Sequence, residues 1–172
     1  MLFNEIKDKI VNVKDFPKKG INFKDTTPLF LEPKLVNKTI KEMKKIAKEF
    51  KYDVIVSPEM RGYLFGIPLS LKANKPFVFI RKKGKLPRKT ISIDYDLEYN
   101  STSLEIHKDA IKQGQRILIV DDLLATGGTT NAIVELVKKC GAEVIGNLVL
   151  IELVDLKGKD KLSVPVRSLI KY

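Results

Sequence analysis

The stretch "ILIVDDLLATGGTT", residues 117–130, carries three signals in succession. Ile117 to Val120 form a short apolar, β-branched run, the mark of a strand buried on both faces of a parallel sheet. Two carboxylates, Asp121 and Asp122, stand where that strand is expected to end. Thr126, Gly127, Gly128, Thr129 and Thr130 then fill the gap before "NAIVELVKKCGA", whose Ile133, Leu136, Val137 and Cys140 recur at helical spacing and which Gly141 closes. A strand that passes through a glycine-rich turn into a helix is part of a βαβ unit. In open sheets built from such units, ligands bind outside the carboxyl ends of the strands.

The turn suits an anion. Backbone N–H groups at a helix N-terminus lack intrahelical partners and lie at the positive end of the helix dipole. Gly127 and Gly128 allow the backbone to approach closely, and the threonine hydroxyls add donors. The triphosphate pattern G-x-x-x-x-G-K-[ST] is absent, because threonine follows the glycines, and so is G-x-G-x-x-G. The two acids cannot face the phosphate itself, which they would repel. They fit ribose hydroxyls, which donate to carboxylates, or a magnesium ion carried by a pyrophosphate. A ligand with a phosphate at one end and sugar hydroxyls in the middle satisfies the whole stretch.

Outward from this stretch, strands and helices alternate. "DFPKKGINFKDTTPLF" is rich in turn residues and reads as irregular structure before a helix from about Lys34 to Phe50, with its stripe at Leu35, Val36, Thr39, Ile40, Met43, Ile46, Ala47 and Phe50. "YDVIVSP" is a central strand with a functional loop at its carboxyl end. "EMRGYLFGIPLSLKAN" reads as a helix perturbed by Pro68. "PFVFI" is a strand that delivers the loop "RKKGKLPRK", and "TISIDYDLEYNSTSLEI" alternates strictly, so it is expected as a hairpin standing off the core. "RILIV" and "EVIGNLVLIEL" supply the third and fourth core strands. The fold class that follows is α/β, a mostly parallel central sheet with helices on both faces. There is no internal repeat, and the expectation is one domain over residues 1–172.

Bulk properties limit the function. The 172 residues, 44% hydrophobic and 31% charged, are those of a globular chain able to bury its own core. One cysteine rules out an internal disulfide framework, and Cys140 reads as a small hydrophobe of its helix. No stretch reaches the roughly 18 apolar residues of a membrane span, and the start lacks a secretory pattern, so a cytoplasmic protein is expected. The net charge of +11 suits a polyphosphate substrate, nucleic acid or an anionic surface. Much of the lysine decorates the polar face of the 34–50 helix, whereas the 81–89 run is a loop that can converge on a ligand. The lone histidine, His107, ends the alternating stretch and reads as a surface or core residue.

These residues resemble a known family. "ILIVDDLLATGGTT" is similar to the 5-phosphoribosyl 1-pyrophosphate motif of the type I phosphoribosyltransferases. "DFPKKGINFKDTTPLF", "EMRGYLFG", "FIRKKGKLPR", "YDLEY", "LEIHKDAIKQGQR" and "IELVDLKGKDKL" look like successive blocks of its adenine-using branch, in order, over nearly the whole chain. The resemblance implies a small N-terminal hood, a mobile hairpin over the site, a homodimer, and a reaction in purine salvage. Adenine and 5-phosphoribosyl 1-pyrophosphate would give AMP and pyrophosphate, with Mg2+ carried by the substrate and no direct protein ligand to the metal.

By the same resemblance, Asp121 and Asp122 bind the ribose hydroxyls, and Ala125, Thr126, Gly127, Gly128 and Thr129 hold the 5′-phosphate. Arg61, Arg81, Lys82 and Lys85 match the pyrophosphate side, with Arg81 reaching a neighbouring subunit's site. Glu98 matches the glutamate beside the five-membered ring of the base, and Tyr99 belongs to the covering hairpin. Asn22, Phe23 and Lys24 match the stretch that reads the adenine edge, and Leu123 an apolar wall against the ring. Chemistry supports Arg61 and the basic loop independently, since a pyrophosphate leaving group needs cations. Glu98 can take a proton from the base or accept its hydrogen bond.

Three positions depart from the pattern: Asn100 stands where glycine is common, Met60 where a small residue is usual, and Asn22 adds a polar side chain near the base. Two other functions compete. One is a sister enzyme for hypoxanthine, guanine or xanthine, against which "GINFKD" resembles the adenine form. The other is a nucleic-acid-binding regulator that uses the sugar phosphate as an effector, against which there is no spare helix-turn-helix domain.

Overall fold

In the computed structural model, which describes residues 2–97 and 100–172, the chain forms two compact units, residues 1–42 and 43–172. In the first, helix α1 (Leu2–Lys7) precedes strands β1 (Val11–Lys14) and β2 (Asn22–Asp25), which pair antiparallel with Val13 opposite Phe23. A 3-10 turn (Thr27–Leu31) then leads to α2 (Pro33–Ala47). The stretch read as irregular therefore contains a strand. Its turn residues do their work between β1 and β2, where Asp15 Oδ1 accepts the Gly20 N–H at 2.6 Å and the rings of Phe16 and Phe23 meet edge-on at 5.2 Å. Two strands of four residues, β1 wholly exposed, leave no period-two signature for a reader to find.

The second unit is built on a sheet of seven strands: β3 (Val54–Pro58), β4 (Phe77–Lys82), β5 (Thr90–Leu97), β6 (Asn100–His107), β7 (Arg116–Leu124), β8 (Glu143–Glu152) and β9 (Val166–Lys171). Their order is β5-β6-β4-β3-β7-β8-β9. The strands β4, β3, β7, β8 and β9 run parallel, and the β5–β6 hairpin joins antiparallel at the β4 edge. Alternation sorts the strand residues between two helices. Val54, Val56, Ile117 and Ile119 face one side and pack with Ile133, Leu136 and Val137 of α4 (Gly128–Lys139). The hairpin does not stand off this core as expected: Leu104 and Ile106 are buried in it and Ile91, Ile93 and Tyr95 pack against it, because the apolar phase of the alternation faces α4. On the other side α3 (Tyr63–Ala73) lies against β3, β4 and β7, close enough that Gly66 has no room for a side chain beside Ser57 and Phe77. The expected α/β sheet with helices on both faces is thus the fold of this unit.

The differences are local. The helix expected from Lys34 to Phe50 ends at Ala47, and the one expected from Glu59 begins at Tyr63, leaving 59–62 as a turn. Pro68 sits inside α3 without dividing it. A fifth parallel strand, β9, was not expected, because "VPVRSLIK" is short and mixes charge with a proline. Most important for the site, β7 does not stop at the acids. It loses β3 after Ile119, paired with Val56, yet stays in register with β8 as far as Leu124 opposite Glu152.

That divergence is the topological switch point. From β3 the chain moves outward to β4, and from β7 it moves the opposite way to β8 and β9, so a crevice opens where β3 and β7 part. Asp121 and Asp122 lie on the stretch of β7 that has lost its β3 neighbour.

Candidate active site

The crevice is a cavity of about 350 Å³ between the carboxyl ends of β3 and β7. From β3 come Pro58 and the turn Glu59–Met60–Arg61; from β7 and the following loop, the continuous run Asp121–Thr130; from β4–β6, Lys82, Tyr95 and Leu104. One short strand-to-helix connection therefore supplies more than half of the wall.

The connection is formed as its glycines require. Leu124 ends the strand, and Gly127 caps α4 from the left-handed region at φ +89°, which an L side chain rarely adopts. The helix starts at Gly128, earlier than the sequence suggested: Gly128, Thr129 and Thr130 are its first turn and not a loop before it, with the Asn131 N–H bonded to Gly127 O at 2.9 Å. The correction favours the anion reading, because the first-turn N–H groups are those a helix cannot satisfy internally. Thr130 is buried, and its hydroxyl accepts from Asn147 Nδ2 of β8 at 3.1 Å.

The acids are placed differently from one another. Asp122 is 3% exposed, and its Oδ2 stands 3.2 Å from Arg61 Nε. Asp121 is half-buried, and its Oδ1 accepts the Asp122 N–H at 2.8 Å. Burial, together with the neighbouring charge of Asp122, pushes the Asp121 carboxyl well above the ordinary carboxylate range. Burial raises Asp122 too, and Arg61 pulls it part of the way back. A pair so arranged gains from any ligand that brings hydroxyl donors, since accepting them stabilises the ionised form.

The cations divide into two groups. Arg61 and Lys82 line the cavity. Arg81 does not: its Nε donates to Glu59 Oε2 at 2.7 Å and its Nη1 to the Lys85 carbonyl at 2.9 Å. Lys85 sits in the turn beyond β4, where the buried Glu105 accepts the N–H groups of Lys85 at 3.0 Å and Leu86 at 2.8 Å. Burial opposes the charge on Glu105, but donation from the N–H groups of Leu86, Gly84 and Lys85 outweighs it and holds the carboxyl below its usual value. The basic loop is therefore shaped by a carboxylate beneath it.

Ala125, Thr126 and Leu123 line the cavity. Met60 is exposed at its mouth, on the far side of a cis peptide from Glu59. Asn22, Phe23 and Lys24 lie on β2 of the N-terminal unit, with Lys24 Nζ donating to Asn12 Oδ1 at 3.1 Å. Glu98 and Tyr99 are outside the described residues. His107 closes β6 and does not line the cavity. Other contributors were missed from sequence, Tyr95 and Glu59 among them. Tyr95 shares the inward phase of Ile91 and Ile93, so the alternation contained it, whereas nothing local marked Glu59 as the acid that holds Arg81.

Comparison with known proteins agrees with this geometry. The family described as "Phosphoribosyl transferase domain" matches residues 30–169. The adenine phosphoribosyltransferase of Malacoplasma penetrans is 54% identical over 172 residues, covering all of both chains. The crystal structure of adenine phosphoribosyltransferase from Thermoanaerobacter pseudethanolicus superposes with a TM-score of 0.96 at 49% identity, covering 99% of each chain. That of the Saccharomyces cerevisiae enzyme, complexed with an imino-altritol bisphosphate and adenine, gives 0.91 at 40% identity, covering 98% of each.

Proposed function

The chain belongs to the adenine phosphoribosyltransferases, and on that premise we propose how its crevice transfers the 5-phosphoribosyl group from 5-phosphoribosyl 1-pyrophosphate to adenine, giving AMP and pyrophosphate in purine salvage. The observation that carries the reading is the β7–α4 connection: two carboxylates, then a helix N-terminus, with Arg61 facing the acids across the switch point. The 5′-phosphate sits on the first-turn N–H groups of α4, Asp121 and Asp122 accept the ribose hydroxyls, and the pyrophosphate extends toward Arg61 and Lys82.

During transfer the bond from the sugar C1 to the pyrophosphate oxygen breaks, and a bond from C1 to an adenine ring nitrogen forms. The sugar passes through an oxocarbenium-like state while negative charge collects on the leaving group. Arg61 and Lys82 oppose that charge, and the ionised acids oppose the positive charge on the sugar. By resemblance, Glu98 takes or holds the ring proton of adenine, Tyr99 covers the site, Asn22, Phe23 and Lys24 read the base edge, and Leu123 lies against the ring. Arg81 and Lys85 add to the pyrophosphate side by the same resemblance, Arg81 from a neighbouring subunit. The resemblance further supports a homodimer, and the sequence reading supports a cytoplasmic protein in which residues 1–172 act as one domain.

Among the described residues no group of three His, Cys, Asp or Glu could hold a metal. Two carboxylates beside a phosphate cradle fit a magnesium ion brought by the substrate, and Asp121 and Asp122 are the residues that would face it. Such an ion, when bound, neutralises charge on the leaving pyrophosphate.

The test is nucleoside monophosphate formation from 5-phosphoribosyl 1-pyrophosphate and Mg2+, with adenine, hypoxanthine, guanine, xanthine and uracil offered separately. Product from adenine alone is expected. Product from another base instead would overturn the base assignment and leave the sugar site intact.

A further inference from the structure

The cradle loop is backed by a segment that the reaction described above does not use. Residues 153–162, from "LVDLKGKDKL", form two 3-10 turns, Val154–Leu156 and Gly158–Lys161, joined at Lys157 in the left-handed region. Their backbone is fastened to both sides of the loop. The Leu153 N–H donates to Leu124 O at 3.0 Å, immediately before the loop, and Asn131 Nδ2 in the first turn of α4 donates to Lys161 O at 3.4 Å. Leu162 anchors the far end against Leu124, Val149 and Val166.

Between these fastenings two glycines meet backbone to backbone. A Cβ on Gly158, which is buried, would overlap Ala125 O and lie 3.0 Å from the carbonyl carbons of Ala125 and Thr126. A Cβ on Gly127 would lie 3.0 Å from Gly158 O and 3.3 Å from Leu162 Cδ2. The atoms in the way on the loop side are main chain, so no rotamer change can make room. A side chain at 158 must displace either the loop or the whole segment.

We propose that Gly158 is a positioning residue for the phosphate end of the site: its missing side chain lets residues 153–162 lie flat behind Ala125–Gly127 and fix the aim of the α4 N-terminus. The proposal rests on the reading of that loop as the 5′-phosphate cradle. The phosphate is bound by several N–H groups whose directions are set together, so a shift of a fraction of an ångström in the loop loosens all of them at once. Adenine recognition draws on other residues and is left alone.

The experiment compares wild type, Gly158→Ala and Asn131→Ala. Ribose 5-phosphate is titrated by calorimetry, and KM for adenine is measured at saturating 5-phosphoribosyl 1-pyrophosphate. For Gly158→Ala the dissociation constant of ribose 5-phosphate is expected to rise about tenfold or more while KM for adenine stays within about twofold. Unchanged ribose 5-phosphate binding, or equal weakening of both ligands, overturns the proposal. If Gly158→Ala does not fold, Asn131→Ala decides: weaker ribose 5-phosphate binding with unaltered KM for adenine supports it, and wild-type behaviour overturns it. Failure of the wild type both to bind ribose 5-phosphate and to make AMP removes the reading of the cradle, and this proposal with it, whereas a functional wild type with an indifferent Gly158 removes the proposal alone.

Discussion

Asp121 and Asp122 are neighbours on one strand, yet Asp122 has Arg61 Nε 3.2 Å from its Oδ2 whereas burial and the charge of Asp122 dominate at Asp121, and the difference has consequences for pH. Asp121 is raised by burial and by the charge of Asp122. The folded protein therefore binds a proton there over a range where the unfolded chain has lost it, and stability falls as pH rises from the ordinary carboxylate value through the folded one. The ligand works in the opposite sense, because ribose hydroxyls need the ionised form. The KM for 5-phosphoribosyl 1-pyrophosphate should then drop as pH rises through a titration lying above the ordinary carboxylate range, and Asp121→Asn should remove that limb from the profile of kcat/KM against pH. An unchanged profile would take Asp121 out of the titration. Arg61→Ala strips the partner from the buried Asp122 and, on the proposed reading, a cation that opposes the charge of the leaving pyrophosphate. A fall in kcat/KM for the sugar substrate of about 10²-fold or more is expected, and steady-state kinetics with each substrate varied in turn would check it. For Glu98→Gln the expectation is a lower kcat with unaltered ribose 5-phosphate binding; an unaltered kcat would remove it from the base chemistry.

At the scale of elements, α3 shows how closely the sheet is covered on the side that carries Arg61 into the crevice. A Cβ on Gly66 would overlap Ser57 Oγ and come within 2.7 Å of Phe77 Cε2. Gly66→Ala should destabilise the protein by about 1–3 kcal/mol by overpacking, read as a lower urea midpoint at constant slope, and a midpoint equal to wild type would show that α3 can lift without cost. What the sequence disclosed, and what it concealed, follows the same division between periodic and contingent structure. The parallel strands β3, β4, β7 and β8 were legible as short apolar runs bounded by turn residues, and helix α4 and the pairing of the β5–β6 hairpin as periods of burial along the chain; the hairpin's packing on the core was not. The pair β1–β2 and strand β9 were not, being short and charged or exposed, with pairing that only the partner strand specifies. Within the site, Asp121–Thr129 were legible because acids, glycines and threonines concentrate in one run. The extension of β7 to Leu124 could not be read, since it depends on β8 continuing after β3 has left. Glu59, Glu105 and Gly158 act on residues far away in sequence, and no spacing rule reaches them.

For the whole molecule, the net charge of +11 far exceeds what Arg61 and Lys82 contribute to the crevice. Local pairs such as Arg116 with Asp53 and Arg167 with Glu49 have already cancelled in that net figure and hold none of the surplus. The surplus acts at a distance, drawing a strongly anionic substrate toward the protein before any contact forms. The two substrates separate this effect from all others, because 5-phosphoribosyl 1-pyrophosphate is highly charged and adenine is neutral. Raising ionic strength from about 0.01 M to about 0.1 M shortens the screening length from about 30 Å to about 10 Å. Over that range kcat/KM for the sugar substrate should fall about three- to tenfold while kcat and the KM for adenine hold steady. A parallel decline for both substrates would place the salt effect on the folded state itself. A flat response for both would mean that the positive surface contributes nothing to capture, and that the cations lining the cavity do all the electrostatic work at contact range.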